Sequence, residues 1–104
     1  MSGDAGTDPP GPGQRRALRR RVTVVNRRGL HARAAVKFVN MAEQFVADIE
    51  VARDNMVVCG TSIMGLMMLA APAGSELEIR ARGREAKAAL DALAALVTGG
   101  FGET

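Results

Sequence analysis

The sequence contains little that could cross-link it, hold a metal ion or stack on a nucleic-acid base. A single cysteine, Cys59, excludes an internal disulfide framework, and a single histidine leaves no cysteine–histidine cluster for a metal. Tryptophan and tyrosine are absent, and the three phenylalanines fall outside every predicted strand. RNA-binding sheets of this size stack bases on aromatic strand residues, so we expect no nucleic-acid partner.

Long apolar segments are missing as well. No stretch is long enough to span a bilayer, and the N-terminus lacks the apolar core of a secretory signal. We therefore expect a cytoplasmic protein with no membrane partner. The net charge of +3 comes largely from an arginine cluster near the N-terminus and bears on solubility rather than fold. Cys59 follows an apolar run, which predicts a small buried side chain.

The length of 104 residues fits one domain with a core of aliphatic side chains. The first residues are rich in glycine and proline and have almost nothing to bury, which predicts a disordered tail over 1–19. The folded domain is predicted over 20–99. Residues 100–104 are predicted to form a short C-terminal tail.

Apolar periodicity predicts elements in the order β-α-β-β-α-β-α. The predicted helices cover residues 31–44, 63–70 and 84–97. The predicted strands cover residues 22–25, 48–53, 56–59 and 77–82. Strands that alternate polar and apolar residues have one face on a core and one in water. The prediction is therefore an α+β fold, an open-faced two-layer sandwich whose four-stranded, mainly antiparallel sheet carries three helices on one face.

Two predicted helices differ in how their apolar residues are arranged. The first has a single apolar face, formed by Ala35, Val36, Val39, Ala42 and Val46. The second is apolar nearly all round. One of its faces holds Leu66, Leu69 and Ala70, and another holds Ile63, Met64 and Met67. A short helix of this kind is either fully buried or presents an apolar patch to a partner.

The only histidine, His31, lies where a predicted strand gives way to a helix. Gly29 lets the chain turn there, and the first N–H groups of the helix form a site for an anion. Arg33 adds a planar guanidinium that suits phosphate oxygens. A neutral imidazole beside such a site can accept a phosphoryl group and pass it on. The alternative is that His31 is an ordinary helix-start residue, whereas a metal site or hydrolytic triad lacks the necessary partners.

Two separated motifs resemble those of the HPr family, the phosphocarrier proteins of the phosphoenolpyruvate-dependent phosphotransferase system. Residues 26–33 read NRRGLHAR and residues 60–67 read GTSIMGLM. The resemblance extends over residues 21–98 and includes HPr-like proteins of nitrogen-related branches. It implies the same sandwich fold, no cofactor, and a carrier that is not an enzyme but the substrate of phosphotransferases. The chain departs from the family at Ala34, where proline is usual.

The resemblance implies a role for each motif. His31 is the histidine that receives the phosphoryl group from phospho-Enzyme I, on Nδ1, and passes it to enzyme IIA proteins. Arg33 stabilises the phosphate. Ser62 is expected to cap the second predicted helix and, by the resemblance, to be a regulatory phosphorylation site for HPr kinase/phosphorylase.

The same resemblance implies that the second predicted helix docks the partner proteins. The expected docking residues are Ile63, Met64, Met67, Val36 and Asn40. We expect a monomer, acting either in sugar uptake or in a regulatory relay. The alternative is a regulatory adaptor that works mainly through phosphorylation of Ser62 and docking.

Overall fold

The computed structural model describes residues 17–103, so most of the predicted N-terminal tail lies outside the described residues. The elements are β1 (Leu18–Thr23), α1 (Ala32–Ala42), β2 (Asp48–Arg53), β3 (Met56–Cys59), α2 (Ile63–Met68), β4 (Glu76–Arg82) and α3 (Ala86–Thr98). A 3₁₀ turn, Gly100–Gly102, follows α3. Their order matches the predicted β-α-β-β-α-β-α arrangement.

The strands form one sheet in the order β1-β4-β2-β3, and each pairing is antiparallel. In β4, Leu77, Ile79 and Ala81 are buried beneath the helices, whereas Glu78 and Arg80 lie on the open face. Helix α3 packs on β1 and β4, and α1 packs against α2 and α3. The predicted open-faced sandwich is confirmed. Within residues 17–103, no helix is long and apolar enough to cross a membrane.

The core draws large side chains from both layers and from the end of the chain. Its largest fully buried members are Phe38, Phe101, Leu66, Leu77, Ile79, Leu93, Val24, Val51 and Val97. Two residues assigned to the apolar face of α1 are instead exposed. Val36 lies beside the buried stripe, and Val46, 62% exposed, follows the helix end at Ala42, where helical spacing no longer applies.

Strand β1 begins at Leu18 and ends at Thr23, so the strand predicted over 22–25 is displaced and residues 18–19 are not part of a tail. Its arginines find partners that the sequence pattern does not reveal. Arg19 pairs with Glu78 and Arg21 with Glu76 of β4, and Arg20 pairs with Asp91 of α3. Charged cross-strand pairs of this kind stabilise a strand that has no apolar alternation.

The prediction that Cys59 is buried is wrong, because its thiol is exposed. Cys59 ends the edge strand β3 and pairs with Glu50 of β2, whose side chain lies on the open face of the sheet. Successive strand residues point to opposite faces, so the neighbouring Val58 packs against the core in its place.

Ala70 was predicted to extend α2, but the helix ends at Met68 and Ala70 is exposed with φ 49°. The left-handed conformation costs an alanine about 1–2 kcal/mol, whereas glycine costs about 0.4–1 kcal/mol through the entropy of the unfolded chain. We therefore expect Ala70→Gly to raise the free energy of unfolding by about 0.5–1 kcal/mol, measured by urea denaturation. Ala73→Gly is the matched control, because Ala73 does not have a positive φ. Its free energy of unfolding should fall by about 0.4–1 kcal/mol. Equal shifts in the two variants would contradict the prediction.

Candidate active site

His31, the residue before α1, is positioned by a tight turn and by a hydrogen bond to the segment after α2. The N–H of Gly29 donates to the carbonyl of Asn26 at 3.1 Å, and the N–H of Leu30 donates to the carbonyl of Ala71 at 2.8 Å. Gly29 has φ 69°, and a Cβ there would lie 2.9 Å from the Cα of Pro72. Only glycine tolerates this positive φ and leaves room for Pro72. The loop before His31 can therefore pack closely against the segment that follows α2.

His31 is the N-cap of α1, with φ −81° and ψ 179°. Its carbonyl accepts the first intrahelical bond, from the N–H of Ala35 at 2.9 Å. The N–H of Arg33 points at the imidazole Nδ1 across 3.3 Å. A backbone N–H can only donate, so Nδ1 presents its lone pair to the helix N-terminus and the ring proton belongs on Nε2.

Glu103 lies on the other side of the ring. Its Oε2 contacts the Nε2 of His31, and its Oε1 accepts a hydrogen bond from the Nδ2 of Asn26 at 3.0 Å. The His31 and Glu103 side chains are only 14% and 19% exposed. The hydrogen bond from Asn26, and after it the contact with His31, lowers the pKa of Glu103 below its ordinary value. The carboxylate therefore holds the Nε2 proton and leaves Nδ1 as the nucleophilic nitrogen.

The sequence did not point to Glu103. It is 72 positions from His31 and falls in the segment predicted as a C-terminal tail. That tail prediction is wrong for residues 100–103, because Phe101 is buried and anchors the segment beside His31. The isolated apolar Phe101 within an otherwise polar, glycine-rich end was the available signal that this segment packs.

The N-terminus of α1 provides donors for an anion at Nδ1. The N–H groups of Ala32, Arg33 and Ala34 precede the first intrahelical bond, which starts at Ala35. Ala34 keeps the backbone N–H that a proline would lack, but the residue is fully buried, so the N–H groups that an anion can reach are those of Ala32 and Arg33. Arg33 is exposed and adds its guanidinium in the first turn. This arrangement suits a phosphoryl group attached to Nδ1.

Ser62 occupies the N-cap of α2, as predicted. Its Oγ accepts a hydrogen bond from the N–H of Gly65 at 2.9 Å, and its side chain is partly exposed. The carbonyl of Ser62 accepts the first intrahelical bond, from the N–H of Leu66 at 3.0 Å. The hydroxyl therefore has a structural role whether or not it is modified.

The predicted docking residues are exposed on two neighbouring helices. Val36 and Asn40 lie on α1, and Ile63, Met64 and Met67 lie on α2, which packs against α1. Met68, which the prediction omitted, is also exposed, next to Met64 on the helix surface. We call Ile63, Met64, Met67 and Met68 the methionine surface. Met64 is its most prominent member, at 76% exposure.

Fold and site together define a class of protein, an open-faced α+β sandwich that presents one imidazole at the N-terminus of its first helix. The family model described as "PTS HPr component phosphorylation site" matches residues 18–99. The chain belongs to the HPr family of phosphocarrier proteins.

Known relatives carry three names within this family, HPr, NPr and the HPr-like protein Crh. The phosphocarrier protein HPr of Cupriavidus necator is 43% identical over 86 residues, which cover 83% of this chain and 97% of the relative. The phosphocarrier protein NPr of Shewanella violacea is 41% identical over 86 residues, covering 83% and 94%. A crystal structure of HPr-C-His from Thermoanaerobacter tengcongensis has a TM-score of 0.80 at 37% identity, covering 84% of this chain and 98% of that one. The chain is about equally similar to the HPr and the NPr relative.

Glu103→Gln is expected to reduce the loss of stability in acid. A carboxyl whose folded pKa is lowered contributes stability above its unfolded pKa, and this contribution is lost as the pH falls through the folded pKa. The glutamine variant has no such contribution, so its unfolding free energy should fall less between about pH 5 and pH 2. Urea denaturation over that range measures the difference. Glu43→Gln, at an exposed position, is the control, and a Glu103→Gln curve parallel to wild type would contradict the prediction.

Proposed function

We propose that this protein carries a phosphoryl group on His31. It accepts the group from phospho-Enzyme I and delivers it to enzyme IIA proteins of a phosphotransferase system. The supporting observation is the polarity of the imidazole, whose Nδ1 faces the N–H of Arg33 while its Nε2 faces Glu103. The protein is the substrate of phosphotransferases rather than an enzyme and needs no cofactor. These residues all come from one chain, so a monomer is sufficient.

The transfer step follows from this polarity. The Nδ1 lone pair attacks phosphorus, a P–N bond forms on His31, and the bond between phosphorus and the donor's leaving atom breaks with its electron pair returning to the donor. The Nε2 proton stays on the ring, where the Glu103 carboxylate offsets the positive charge that develops. The same proton makes the ring a good leaving group in the onward transfer. Arg33 stabilises the transferred oxygens through its N–H and guanidinium.

The proposal is tested by incubating the protein with phosphoenolpyruvate and Enzyme I. We expect an acid-labile, alkali-stable phosphate on the wild-type chain and none on His31→Asn. Asparagine is a preferred N-cap and preserves the start of α1 without supplying a nucleophile, so loss of the adduct cannot be ascribed to unfolding. A wild-type chain that stays unmodified, or a His31→Asn chain that is still labelled, would overturn the proposal.

The branch of the phosphotransferase system is decided by the acceptor. HPr and NPr relatives are about equally similar to this chain, which supports either sugar uptake or a nitrogen-related relay. Phosphorylated protein offered to sugar-specific and to nitrogen-related IIA proteins should transfer much faster to one class. Docking to these partners is proposed for Ile63, Met64 and Met67, with Val36 and Asn40 at the edge.

A second proposed function is regulation through Ser62 by HPr kinase/phosphorylase. Its support is the position of the partly exposed hydroxyl at the start of α2, next to the methionine surface. A phosphate there adds almost two negative charges beside apolar docking residues. We expect the kinase and ATP to produce an acid-stable phosphate that Ser62→Asn, which retains a capping side chain, does not carry. If the chain is mainly an adaptor, His31→Asn will leave its regulatory activity intact.

A further inference from the structure

Between the loop before His31, helix α1 and the end of the chain runs a groove of about 870 Å³. We call it the basic groove, because Arg27, Arg28, Arg33 and Lys37 contribute to its walls. The rest of its lining is Val25, Asn26, Thr98, Gly99, Gly100, Gly102 and Glu103. The function proposed above uses only Arg33 and Glu103 from this set.

The positive charge of the basic groove is only partly compensated, because among residues 17–103 its lining holds four cationic side chains and one carboxylate, that of Glu103. Over residues 17–103, no carboxylate lies within 4.0 Å of the guanidinium of Arg27, Arg28 or Arg33. The Glu103 carboxylate accepts a hydrogen bond from Asn26, contacts His31 and is attracted by Arg28, so it offsets one of the four positive charges. Lys37 donates to the carbonyl of Phe101 at 2.7 Å, which leaves its charge unneutralised.

Arginines on the open face of the sheet, by contrast, have carboxylate partners. A groove of about 520 Å³ there is lined by Arg19, Arg21 and Arg80 among others. Each of these three pairs with a carboxylate of β4, either Glu76 or Glu78. That face is therefore close to neutral, whereas the basic groove gathers three arginines without carboxylate partners.

We propose that the basic groove binds a small phosphorylated metabolite with at least two anionic groups. Arginine forks bind phosphate oxygens in a bidentate manner, and the net charge of +3 on the side chains that line the groove exceeds the almost two negative charges of one phosphate. The volume is that of a site for a metabolite or drug-sized ligand rather than for a single ion. The exposed side chain of Val25 adds an apolar wall for the organic part of such a ligand.

Binding would reach the histidine through Arg33, which lines both the groove and the acceptor site. An occupied groove draws the guanidinium of Arg33 to the ligand and so slows phosphoryl acceptance by His31. This kinetic consequence rests on the proposed function, but the binding itself does not.

The experiment is an amide NMR titration at about 0.15 M salt, where weak surface attraction is screened. The probes are pyrophosphate and fructose 1,6-bisphosphate, with sulfate at matched ionic strength for comparison. We expect saturable shifts confined to residues 25–37 and 98–103, and weaker binding of sulfate. Arg27→Gln/Arg28→Gln should weaken binding of the probes about tenfold or more. His31→Asn should still bind the probes saturably, which separates this site from the carrier function.

Arg84→Gln is the matched control, since Arg84 is exposed and pairs with no carboxylate of the described residues. Its affinity should stay within about twofold of wild type, because it lies outside the groove. Absence of saturable binding would overturn the proposal. Equal losses in Arg84→Gln and the double variant would also overturn it. The proposal would also be overturned if the double variant bound Enzyme I more weakly while the wild-type chain bound neither probe. The groove would then engage an acidic protein partner instead of a metabolite.

Discussion

Phe101→Ala is expected to lower the free energy of unfolding by about 3–5 kcal/mol. The side chain is only 1% exposed and belongs to the core although it stands near the end of the chain. Truncation removes its transfer free energy and leaves a cavity in the core. The loss is a large share of the total stability of a small domain, so the variant should unfold at much lower urea concentration.

The backbone of Phe101 strengthens this expectation. Its φ is 57°, an unfavourable conformation for a bulky residue, and it persists because the side chain is buried and Lys37 holds the carbonyl. Alanine keeps that conformational cost without the burial that offsets it. The end of the chain should therefore detach and take Glu103 away from His31. Faster amide hydrogen exchange at residues 100–103 would report the detachment.

Phe101→Leu is the variant that keeps the measurement within range. It retains most of the apolar volume and should cost about 1–1.5 kcal/mol, with the segment still attached. If Phe101→Ala cost less than about 1 kcal/mol, the side chain would not be packed in the core. The two variants together distinguish a packed anchor from a peripheral contact.

Local pattern was sufficient for most of the fold. Residues 77–82 alternate because a sheet covered on one side alternates, and β4 follows that pattern. The first strand was predicted too far along the chain, because Arg19, Arg20 and Arg21 carry no apolar signal. Their carboxylate partners lie more than 50 residues away. Periodicity is a local property, so pairing across the sheet was beyond its reach.

In the candidate site, too, the residues set by local sequence were predictable and the residue set by long-range packing was not. His31 and Arg33 were predictable because a turn and the start of a helix are encoded in adjacent residues. Glu103 was not, because its position depends on how Phe101 packs after α3 ends. Glu103, which contacts Nε2 of His31, was therefore missed, whereas His31 and the helix that it caps were predicted.

Arg33→Ala is expected to slow phosphorylation of His31 by phospho-Enzyme I about a hundredfold, the loss found when one preorganised donor to a transferred oxyanion is removed. The exposed side chain makes no ion pair with another residue of 17–103, so stability should stay within about 0.5 kcal/mol of wild type. The backbone N–H that faces Nδ1 is retained when alanine replaces Arg33. The effect is therefore assigned to the guanidinium alone, measured as a single-turnover rate at saturating donor.

Arg33→Lys separates charge from geometry at the same position. Lysine supplies a positive charge without the planar fork, so we expect a loss of about tenfold, between wild type and alanine. Arg84→Ala, outside the site, should transfer at the wild-type rate. If Arg33→Ala also kept that rate within about twofold, the backbone N–H groups of residues 32 and 33 would suffice for the phosphate. The Arg33 side chain would then belong to the basic groove alone. In that case Arg33→Ala would leave the transfer rate unchanged and weaken the binding of pyrophosphate.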